Sequence, residues 1–411
     1  MDGLMDREGA ALGVYVHFPF CLRRCPYCDF NVAVVRQIPH VAYMEAVLRE
    51  LAVRKAQFPG RRLASVYFGG GTPGLWDPEA VGTVLGAIKS EWALMADPVD
   101  IAHAQGGAPL EVTVEINPRR APVEVLAALR EAGANRLSVG CQSFDDTYLK
   151  ALGRDHDAGQ GLATLGAAQT AGWDRVNLDL IYGGPAHGAE LFRRDLDIVA
   201  GCAVDHVSAY QLTVHAGTAF GRMWDAGRLD VADHELSAAL DAQCEMALTQ
   251  AGFWRYEVSN YARPGGVARH NSLYWTGAEY MGLGVGAHEL CIHEGRAQRR
   301  EGATTVGAYL NDPLTPASVE VLAGSQHLGE RLFTALRTGF GVHLGLLRAQ
   351  LGAELAEEAL RRLEPLEAQG YLRRETGAIA GVPEYLAPEG LRFVPTARGL
   401  RFADDVGAAV V

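Results

Sequence analysis

Three cysteines near the N-terminus fall within eight residues, in the segment CLRRCPYC. Their spacing is C-x3-C-x2-C, and three thiolates on one loop can hold three irons of a [4Fe–4S] cluster. The fourth iron would keep an open coordination position, through which metal centres admit substrates. Zinc is the alternative metal, but zinc sites usually repeat a C-x2-C pair, so the spacing favours the iron–sulfur cluster. The expected cluster ligands are Cys21, Cys25 and Cys28, and the residues available as a fourth zinc ligand are His17, His40 and Asp29.

The other four cysteines are scattered along the chain: Cys141, Cys202, Cys244 and Cys291. An odd total of seven cysteines, in a chain that is not a short secreted scaffold, argues against a disulfide framework. We expect these four to behave as small buried hydrophobic residues.

Further segments carry residues whose types suit ligand binding. In Gly69–Pro73 the glycines let the backbone approach a ligand closely, although GGGTP alone is also a tight turn. Glu115 ends an alternating strand pattern, and Asp179 lies within an apolar one, where a charge is costly unless it is paired. Gln142 offers both a donor and an acceptor, and Arg154 can bind a carboxylate with two parallel hydrogen bonds. Each residue has a functional interpretation, and none is specific in isolation.

These segments must be positioned by the elements around them, and the chain alternates between short β-rich runs and segments of helical period. Strand then helix, repeated about six times, is typical of parallel βαβ units. Nearly every polar segment follows a predicted strand, and in a barrel those strand ends converge on one mouth. We therefore predict an α/β fold built as a partial barrel rather than a doubly wound sheet. The predicted strands are Val14–Phe18, Ser65–Phe68, Glu111–Ile116, Arg136–Val139, Arg175–Ile181 and Val207–Val214, and the predicted helices are 40–57, 77–91, 122–132, 158–171 and 188–200.

The composition of the 411 residues, 48% apolar and 21% charged, excludes disordered and fibrous classes. A net charge of −12 repels phosphate backbones, so nucleic acid is a poor candidate for a partner. No apolar run approaches the roughly 20 residues that a membrane span needs. The start MDGLMDREGA lacks the apolar stretch of a signal peptide. We expect a cytoplasmic protein with no membrane span.

Nine motifs together carry a resemblance that no single one carries alone. They are YVHFPFCLRRCPYCDF, FGGGTP, EINP, GCQSFDD, GRDH, NLDLIYGGP, YEVSNYARPG, RHNSLYW and GLGVGAH. In this order they resemble the radical S-adenosylmethionine (SAM) superfamily, in the group of oxygen-independent coproporphyrinogen III oxidases and HemW-like haem chaperones. The resemblance implies a partial (β/α)6 barrel, a SAM-liganded [4Fe–4S] cluster and reductive cleavage of SAM. It also implies the SAM-contacting residues Tyr15, Gly70, Gly71, Thr72, Glu115, Gln142, Arg154 and Asp179.

Two departures separate this chain from the oxidases that it resembles. Those enzymes carry a fourth cysteine two residues after the third, where this chain has Phe30, and they have a longer segment ahead of the cluster loop. RHNSLYW also matches the HN-x-x-YW motif associated with haem in the HemW-like family. His270 offers an imidazole to iron, and the flat rings of Tyr274 and Trp275 suit a porphyrin. The resemblance thus implies haem-binding residues His270, Asn271, Tyr274 and Trp275.

Two functions from different classes remain open. In the first, the protein is a haem chaperone that binds haem and a SAM-liganded cluster, takes electrons from a donor protein, and passes haem to haem-requiring acceptor proteins. In the second, it is an enzyme that oxidatively decarboxylates two propionates of coproporphyrinogen III. Phe30 and RHNSLYW favour the chaperone, although a core histidine with two core aromatics would also explain RHNSLYW. The sequence leaves open whether the chain is an enzyme and whether it forms a homodimer.

The pattern of elements changes at about residues 220 and 320. We predict a radical SAM partial barrel over 1–220, a barrel extension carrying the haem motif over 221–320, and a smaller, mainly helical C-terminal domain over 321–411. Residues 102–108 are predicted to form a loop insertion. The C-terminal pattern is winged-helix-like, but acidic residues slightly outnumber arginines over 354–375. Because DNA binding requires a basic stripe, we expect a lid or docking module.

Overall fold

The computed structural model of the chain describes residues 9–95, 110–293 and 296–411. The predicted loop insertion at 102–108 and nearly all of the segment MDGLMDREGA lie outside the described residues. In the described ranges the chain alternates between strands and helices through its first half, as the sequence predicts. No helix in these ranges is long and apolar enough to cross a membrane.

The elements are named in chain order. The strands are β1 (Ala11–Phe18), β2 (Phe20–Cys21), β3 (Ala33–Val34), β4 (Arg62–Gly70), β5 (Ala93–Leu94), β6 (Glu111–Ile116), β7 (Arg136–Gln142), β8 (Arg175–Tyr182), β9 (His206–Gln211), β10 (Trp254–Arg255), β11 (Asn260–Ala262), β12 (Glu279–Gly284), β13 (His288–His293), β14 (Arg296–Glu301), β15 (Ser318–Leu322), β16 (Val342–His343), β17 (Leu372–Glu375) and β18 (Arg392–Pro395). The helices are α1 (His40–Arg54), α2 (Pro78–Glu91), α3 (Val123–Glu131), α4 (Asp146–Ala151), α5 (Ala158–Thr170), α6 (Ala189–Gly201), α7 (Ala219–Asp225), α8 (His234–Gln250), α9 (Arg269–Thr276), α10 (Val306–Asn311), α11 (Gly324–Ala335), α12 (Leu344–Leu351), α13 (Ala353–Ala368), α14 (Ala397–Arg401) and α15 (Ala403–Ala408).

One large sheet contains the strands from β1 to β15, apart from β2 and β3, which pair with each other. Six parallel strands run in the order β9-β8-β7-β6-β4-β1, and β12 adds a seventh parallel strand beside β1. Antiparallel strands extend both edges, with β11 beside β9 and β13 beside β12. Among the described residues, the series of strand pairings does not close on itself. The predicted α/β class is confirmed, in the open form of a partial barrel.

The two faces of the parallel strands differ in chemistry because side chains alternate along a strand. In β7, Leu137 and Val139 are fully buried in the main hydrophobic core with Leu165 of α5. Arg136 and Ser138, on the other face, line a cavity. Apolar side chains therefore hold the helices to one face of the sheet, and polar side chains are left on the face where a ligand can bind.

The predicted elements of the first 200 residues are present, with small shifts at their ends. Strand β4 is longer than the predicted Ser65–Phe68, and β9 ends at Gln211 rather than Val214. Helix α4 was not predicted, because its six residues are too few to show a helical period. Its local signal is Asp145, whose carboxylate caps the backbone N–H groups of Thr147 and Tyr148.

The C-terminal region has a hydrophobic core of its own. Helices α11 to α15 pack with a three-stranded antiparallel sheet in the order β16-β18-β17. Representative buried residues of this core are Leu328, Leu332, Leu363, Phe393 and Val406. The helices predicted beyond about residue 320 are thus present, while the division of the chain into three domains stays a prediction.

Candidate functional site

A cavity of about 400 Å³ opens at the carboxyl ends of the parallel strands. Three neighbouring strands contribute their last or next-to-last residue, Gly70 of β4, Glu115 of β6 and Gln142 of β7, and β8 contributes Asp179 from its interior. The loop of residues 21–30, called here the cluster loop, also lines it. Because the ends of parallel strands meet at one edge of a sheet, residues far apart in sequence share one site.

The three thiols lie on the cluster loop. Cys21 ends β2, and the N–H of Cys28 donates to the carbonyl of Cys25 at 3.2 Å, which closes a turn between them. All three are half-buried and line the cavity. Within the described ranges, no three His, Cys, Asp or Glu side chains are gathered in a metal-binding arrangement. The thiols therefore share one loop and one cavity without converging on a single point.

Burial affects the protonation of two of these thiols. Burial raises the pKa of Cys28 to about 11, and it also raises the pKa of Cys21. Iron coordinates thiolates and would displace these protons on binding. Three half-buried thiols on one loop, facing a cavity, are a donor set that fits a [4Fe–4S] cluster with one iron open to a ligand.

The glycine loop after β4 is tied to the start of the cluster loop. The N–H of Gly71 donates to the carbonyl of Phe18 at 2.8 Å, and that of Thr72 donates to Phe20 at 3.0 Å. A Cβ on Gly71 would lie 2.7 Å from the Phe20 carbonyl oxygen. The hydroxyl of Thr72 lies 3.5 Å from the Cys21 sulfur. A side chain at position 71 would thus push the two loops apart, so glycine is required by this close approach.

Glu115 presents a buried carboxylate to the cavity. It accepts hydrogen bonds from the Tyr67 hydroxyl at 2.7 Å and from the Gly70 N–H at 3.1 Å. Burial raises the pKa of Glu115 to about 7, the hydrogen bond from Tyr67 opposes this, and the nearby Asp179 adds to it. A carboxylate that is costly to ionise alone gains most from a cationic ligand.

Arg154 connects β7 to the cluster loop. Its Nη2 donates to the Gly140 carbonyl at 2.8 Å, and its Nη1 lies 3.5 Å from the Cys25 sulfur and 3.4 Å from the Tyr27 hydroxyl. The buried Nε has no hydrogen-bond partner among the described residues. Arg154 therefore keeps a donor for a ligand while it holds the loop.

Gln142 lines the cavity with an unusual backbone. Its φ of 69° lies in the left-handed region, which costs a side-chain-bearing residue about 1–2 kcal/mol. The register between β7 and β8 shifts between Val139 and Gln142. Such strain concentrates at functional positions, and here it directs the last residue of β7 toward the cavity.

Asp179 belongs to a polar network inside the sheet. It accepts from the Asn177 amide at 2.7 Å and the Ser138 hydroxyl at 3.3 Å, and burial raises its pKa. Ser138, Asn177 and the buried Arg136 also line the cavity, and the sequence analysis did not select them. The sequence does contain a pattern that indicates two of them. In the strand RLSVGCQ, the period of two places Arg136 and Ser138 on the same face as Gln142.

Tyr15 does not lie among the residues that line the cavity. Its hydroxyl is 2.9 Å from Nδ1 of His17, whose Nε2 donates to the Asn31 carbonyl at 2.8 Å. Its ring centre is 6.1 Å from that of Tyr67. In this structure Tyr15 supports the residues behind the cavity, and its contact with SAM stays a prediction.

The HN-x-x-YW motif forms helix α9, and its histidine is buried. His270 is 1% exposed, with Nδ1 2.8 Å from the Ser65 hydroxyl and Nε2 2.6 Å from the Tyr274 hydroxyl. Burial lowers its pKa to about 3. Of the four motif residues only Asn271 lines the cavity, and Trp275 is half-buried. Both imidazole nitrogens are therefore occupied, and in this conformation neither is open to haem iron.

Comparisons with known proteins identify the family of the chain. Residues 15–198 match the family model of the radical SAM superfamily. The Heme chaperone HemW of Mycobacterium tuberculosis is 35% identical over 99% of this chain and 96% of its own length. The HemW of Escherichia coli is 34% identical over 70% of the chain and 72% of its own length.

Two other comparisons are informative. Radical S-adenosyl methionine domain-containing protein 1, mitochondrial, of Bos taurus is 41% identical over 69% of this chain, and the matched part spans 61% of that protein. Among solved structures, coproporphyrinogen III oxidase (HemN) of Escherichia coli superposes with a TM-score of 0.76 at 22% identity, over 99% of this chain and 91% of that one. The latter shows a shared fold. The chain belongs to the radical SAM superfamily and, within it, to the HemW family.

Proposed function

We propose that this protein is a haem chaperone that carries a SAM-liganded [4Fe–4S] cluster and transfers haem to haem-requiring acceptor proteins. The observation that carries the proposal is the match to a protein named Heme chaperone HemW over 99% of the chain. Phe30 supports it, because the cluster loop has no fourth cysteine at the position that the resembling oxidases use. The partners that this function requires are acceptor proteins and an electron donor.

The cluster is assigned to Cys21, Cys25 and Cys28, the thiols of the cluster loop. Their donor set supports three iron–thiolate bonds, which leaves one iron for SAM. When bound, cluster and SAM together supply one-electron reductive cleavage of SAM. The chain itself orients them and excludes competing solvent.

The SAM contacts are assigned by charge. The carboxylate of Glu115, buried beside Gly70, suits the SAM ammonium group. The free Nε of Arg154 suits the SAM carboxylate, and Gln142 and Asp179 offer hydrogen-bonding groups on the same wall. Thr72 and the backbone of the glycine loop stand next to Cys21, where SAM would reach the cluster.

The alternative is oxidative decarboxylation of coproporphyrinogen III. The likeness in fold to HemN is compatible with it but does not favour it, because one fold hosts different functions. Phe30 counts against it.

The proposal is tested with full-length protein purified and reconstituted without oxygen. We expect haem to give a stable Soret band, and this band to move to an apo-acceptor with recovery of acceptor activity. SAM-dependent conversion of coproporphyrinogen III under reducing conditions, lost in the cluster-deficient Cys25→Ala variant, would contradict the chaperone and establish the decarboxylase.

A further inference from the structure

The mouth of the cavity carries large apolar side chains that are exposed. Phe30 is 59% exposed, Leu22 42% and Tyr210 41%, and all three line the cavity. In the described part of the chain, four large aromatic side chains are this exposed, and two of them, Phe30 and Tyr210, belong to this mouth. Exposed apolar groups clustered at a concave site indicate a binding surface.

Three exposed arginines stand beside these apolar groups. Arg23, Arg24 and Arg120 line the same cavity. Arg24 donates to the carbonyls of Cys28 and Phe30 at 3.4 Å, which fixes its guanidinium beside the backbone of the cluster loop. Neither Arg23 nor Arg120 forms an ion pair within the ranges that the structure describes. Free cationic groups at this mouth contrast with the net charge of −12 of the chain.

The arginines outnumber the acidic groups at the mouth that have no cationic partner. Asp29 lies 3.4 Å from the imidazole of His215. Asp155 accepts from the Asn117 amide at 3.2 Å and lies 3.6 Å from the guanidinium of Arg119. Of these two carboxylates only Asp29 lacks an arginine partner, while Arg23, Arg24 and Arg120 stand at the same mouth, so the balance of these charges is positive, which suits an anionic ligand.

The motif helix α9 offers no comparable surface. His270 is buried with both ring nitrogens hydrogen-bonded, and Tyr274 is one of its partners. The cavity itself, at about 400 Å³, is near the lower end of the range for ligand pockets. A tetrapyrrole that shares this cavity with SAM would therefore extend onto its mouth.

We propose that the haem cargo docks across the mouth of the cavity, with its ring on Phe30, Leu22 and Tyr210 and its propionates paired with Arg23 and Arg120. A flat apolar ring with two carboxylates matches both the apolar rim and the free arginines. Phe30, which replaces the fourth cysteine of the oxidases, would then be a specificity-determining residue for haem. This inference rests on the proposed function and assigns its cargo site.

The test is a titration of cluster-containing, full-length protein with ferric haem, followed by the Soret band. Phe30→Ser should weaken haem binding about tenfold, because a ring that is buried in the complex is removed. Phe402→Ser is the matched control, since Phe402 is 46% exposed and does not line the cavity. Its haem affinity should equal that of the wild type. Phe30→Ser should also keep its iron content, which shows that the cluster loop is intact.

A second experiment tests the contacts between the arginines and the haem propionates. The double variant Arg23→Gln with Arg120→Gln should weaken haem binding by about three- to tenfold. Haem dimethyl ester, which has no carboxylates, should bind the wild type and the double variant equally. His270→Gln should retain wild-type haem affinity.

The outcomes separate this inference from the proposed function. Wild-type protein that binds no haem contradicts the chaperone function itself. Haem binding that is unchanged in Phe30→Ser and in the arginine variant, but lost in His270→Gln, contradicts the mouth site. It would instead place haem binding at His270 of the motif helix.

Discussion

Glu115 and Asp179 are two carboxyl groups that share one cavity, and burial raises the pKa of both. Each raised pKa means that the ionised form is costly without a nearby cation. SAM carries two cationic centres, a sulfonium and an ammonium. A ligand of this kind would relieve the electrostatic cost that the site carries without it.

Glu115 predicts a pH dependence of SAM binding. Its pKa is about 7, so the carboxyl is mostly protonated at pH 6 and mostly ionised at pH 8. SAM affinity should fall as the pH decreases through 7, by about tenfold between these two values. Calorimetric titration of the cluster-containing protein at both pH values measures it. Glu115→Gln should bind SAM weakly at both, and a pH dependence retained in that variant would show that another group is responsible.

The cysteine ligands predict a clear loss of iron. Cys21→Ala, Cys25→Ala and Cys28→Ala should each fail to retain the cluster, because two thiolates do not hold it. Cys202→Ala is the matched control, since Cys202 is also half-buried but lies outside the cavity. Iron and sulfide analysis after anaerobic reconstitution gives the result. Full iron content in any of the three loop variants would refute the ligand assignment.

The sequence analysis selected the residues at strand ends, and it missed some that lie deeper in the sheet. Glu115 and Gln142 stand out because each ends a strand pattern, and both line the cavity. Arg136 begins its strand and reaches the same cavity only because the strand crosses the polar interior. His270 could be selected from its motif, but its burial could not be predicted. The burial depends on contacts with residues far away in the chain, among them Ser65.

At the scale of elements, the glycine loop and the cluster loop behave as one unit. Backbone hydrogen bonds from Gly71 and Thr72 reach the segment that leads into Cys21. The six strands and five helices of the first half were predictable, because their apolar periods are long and regular. The pairing of β12 with β1 was not, since these strands are separated by most of the chain and no local pattern records it.

The close approach of the two loops predicts the effect of a single methyl group. Gly71→Ala would place a Cβ 2.7 Å from backbone atoms of Pro19 and Phe20, which cannot move without displacing the cluster loop. We expect poor iron incorporation and a loss of about 1–3 kcal/mol in the free energy of unfolding. Gly86→Ala, in α2 with no atom within 4 Å of its Cβ, should instead stabilise the protein by about 0.5–1 kcal/mol. Denaturant unfolding compares them, and wild-type iron content in Gly71→Ala would disprove the coupling of the loops.

At the scale of the whole molecule, the ion pairs of the C-terminal region bear on its expected docking role. In α13, Arg362 pairs with Glu358, and Arg374 of β17 pairs with Glu364 and Glu367 of the same helix at 3.2 and 2.8 Å. These ion pairs leave no basic stripe on the helix for phosphates. The docking role expected for the C-terminal region stays a prediction. The contact of this region with the motif helix supports that prediction.

Arg331 makes that contact between the C-terminal region and the motif helix. Its substitution tests how much the contact contributes to stability. Buried in α11, it donates to the carbonyls of Trp275 and Thr276 at the end of α9, and burial lowers its pKa to about 10, so it stays charged at neutral pH. Arg331→Met leaves these carbonyls without donors and should lower the free energy of unfolding by about 1–3 kcal/mol. Arg348→Met, at an exposed site in α12, should change it by less than about 0.5 kcal/mol. Equal stabilities in denaturant titrations would mean that apolar packing alone joins the C-terminal region to the motif helix.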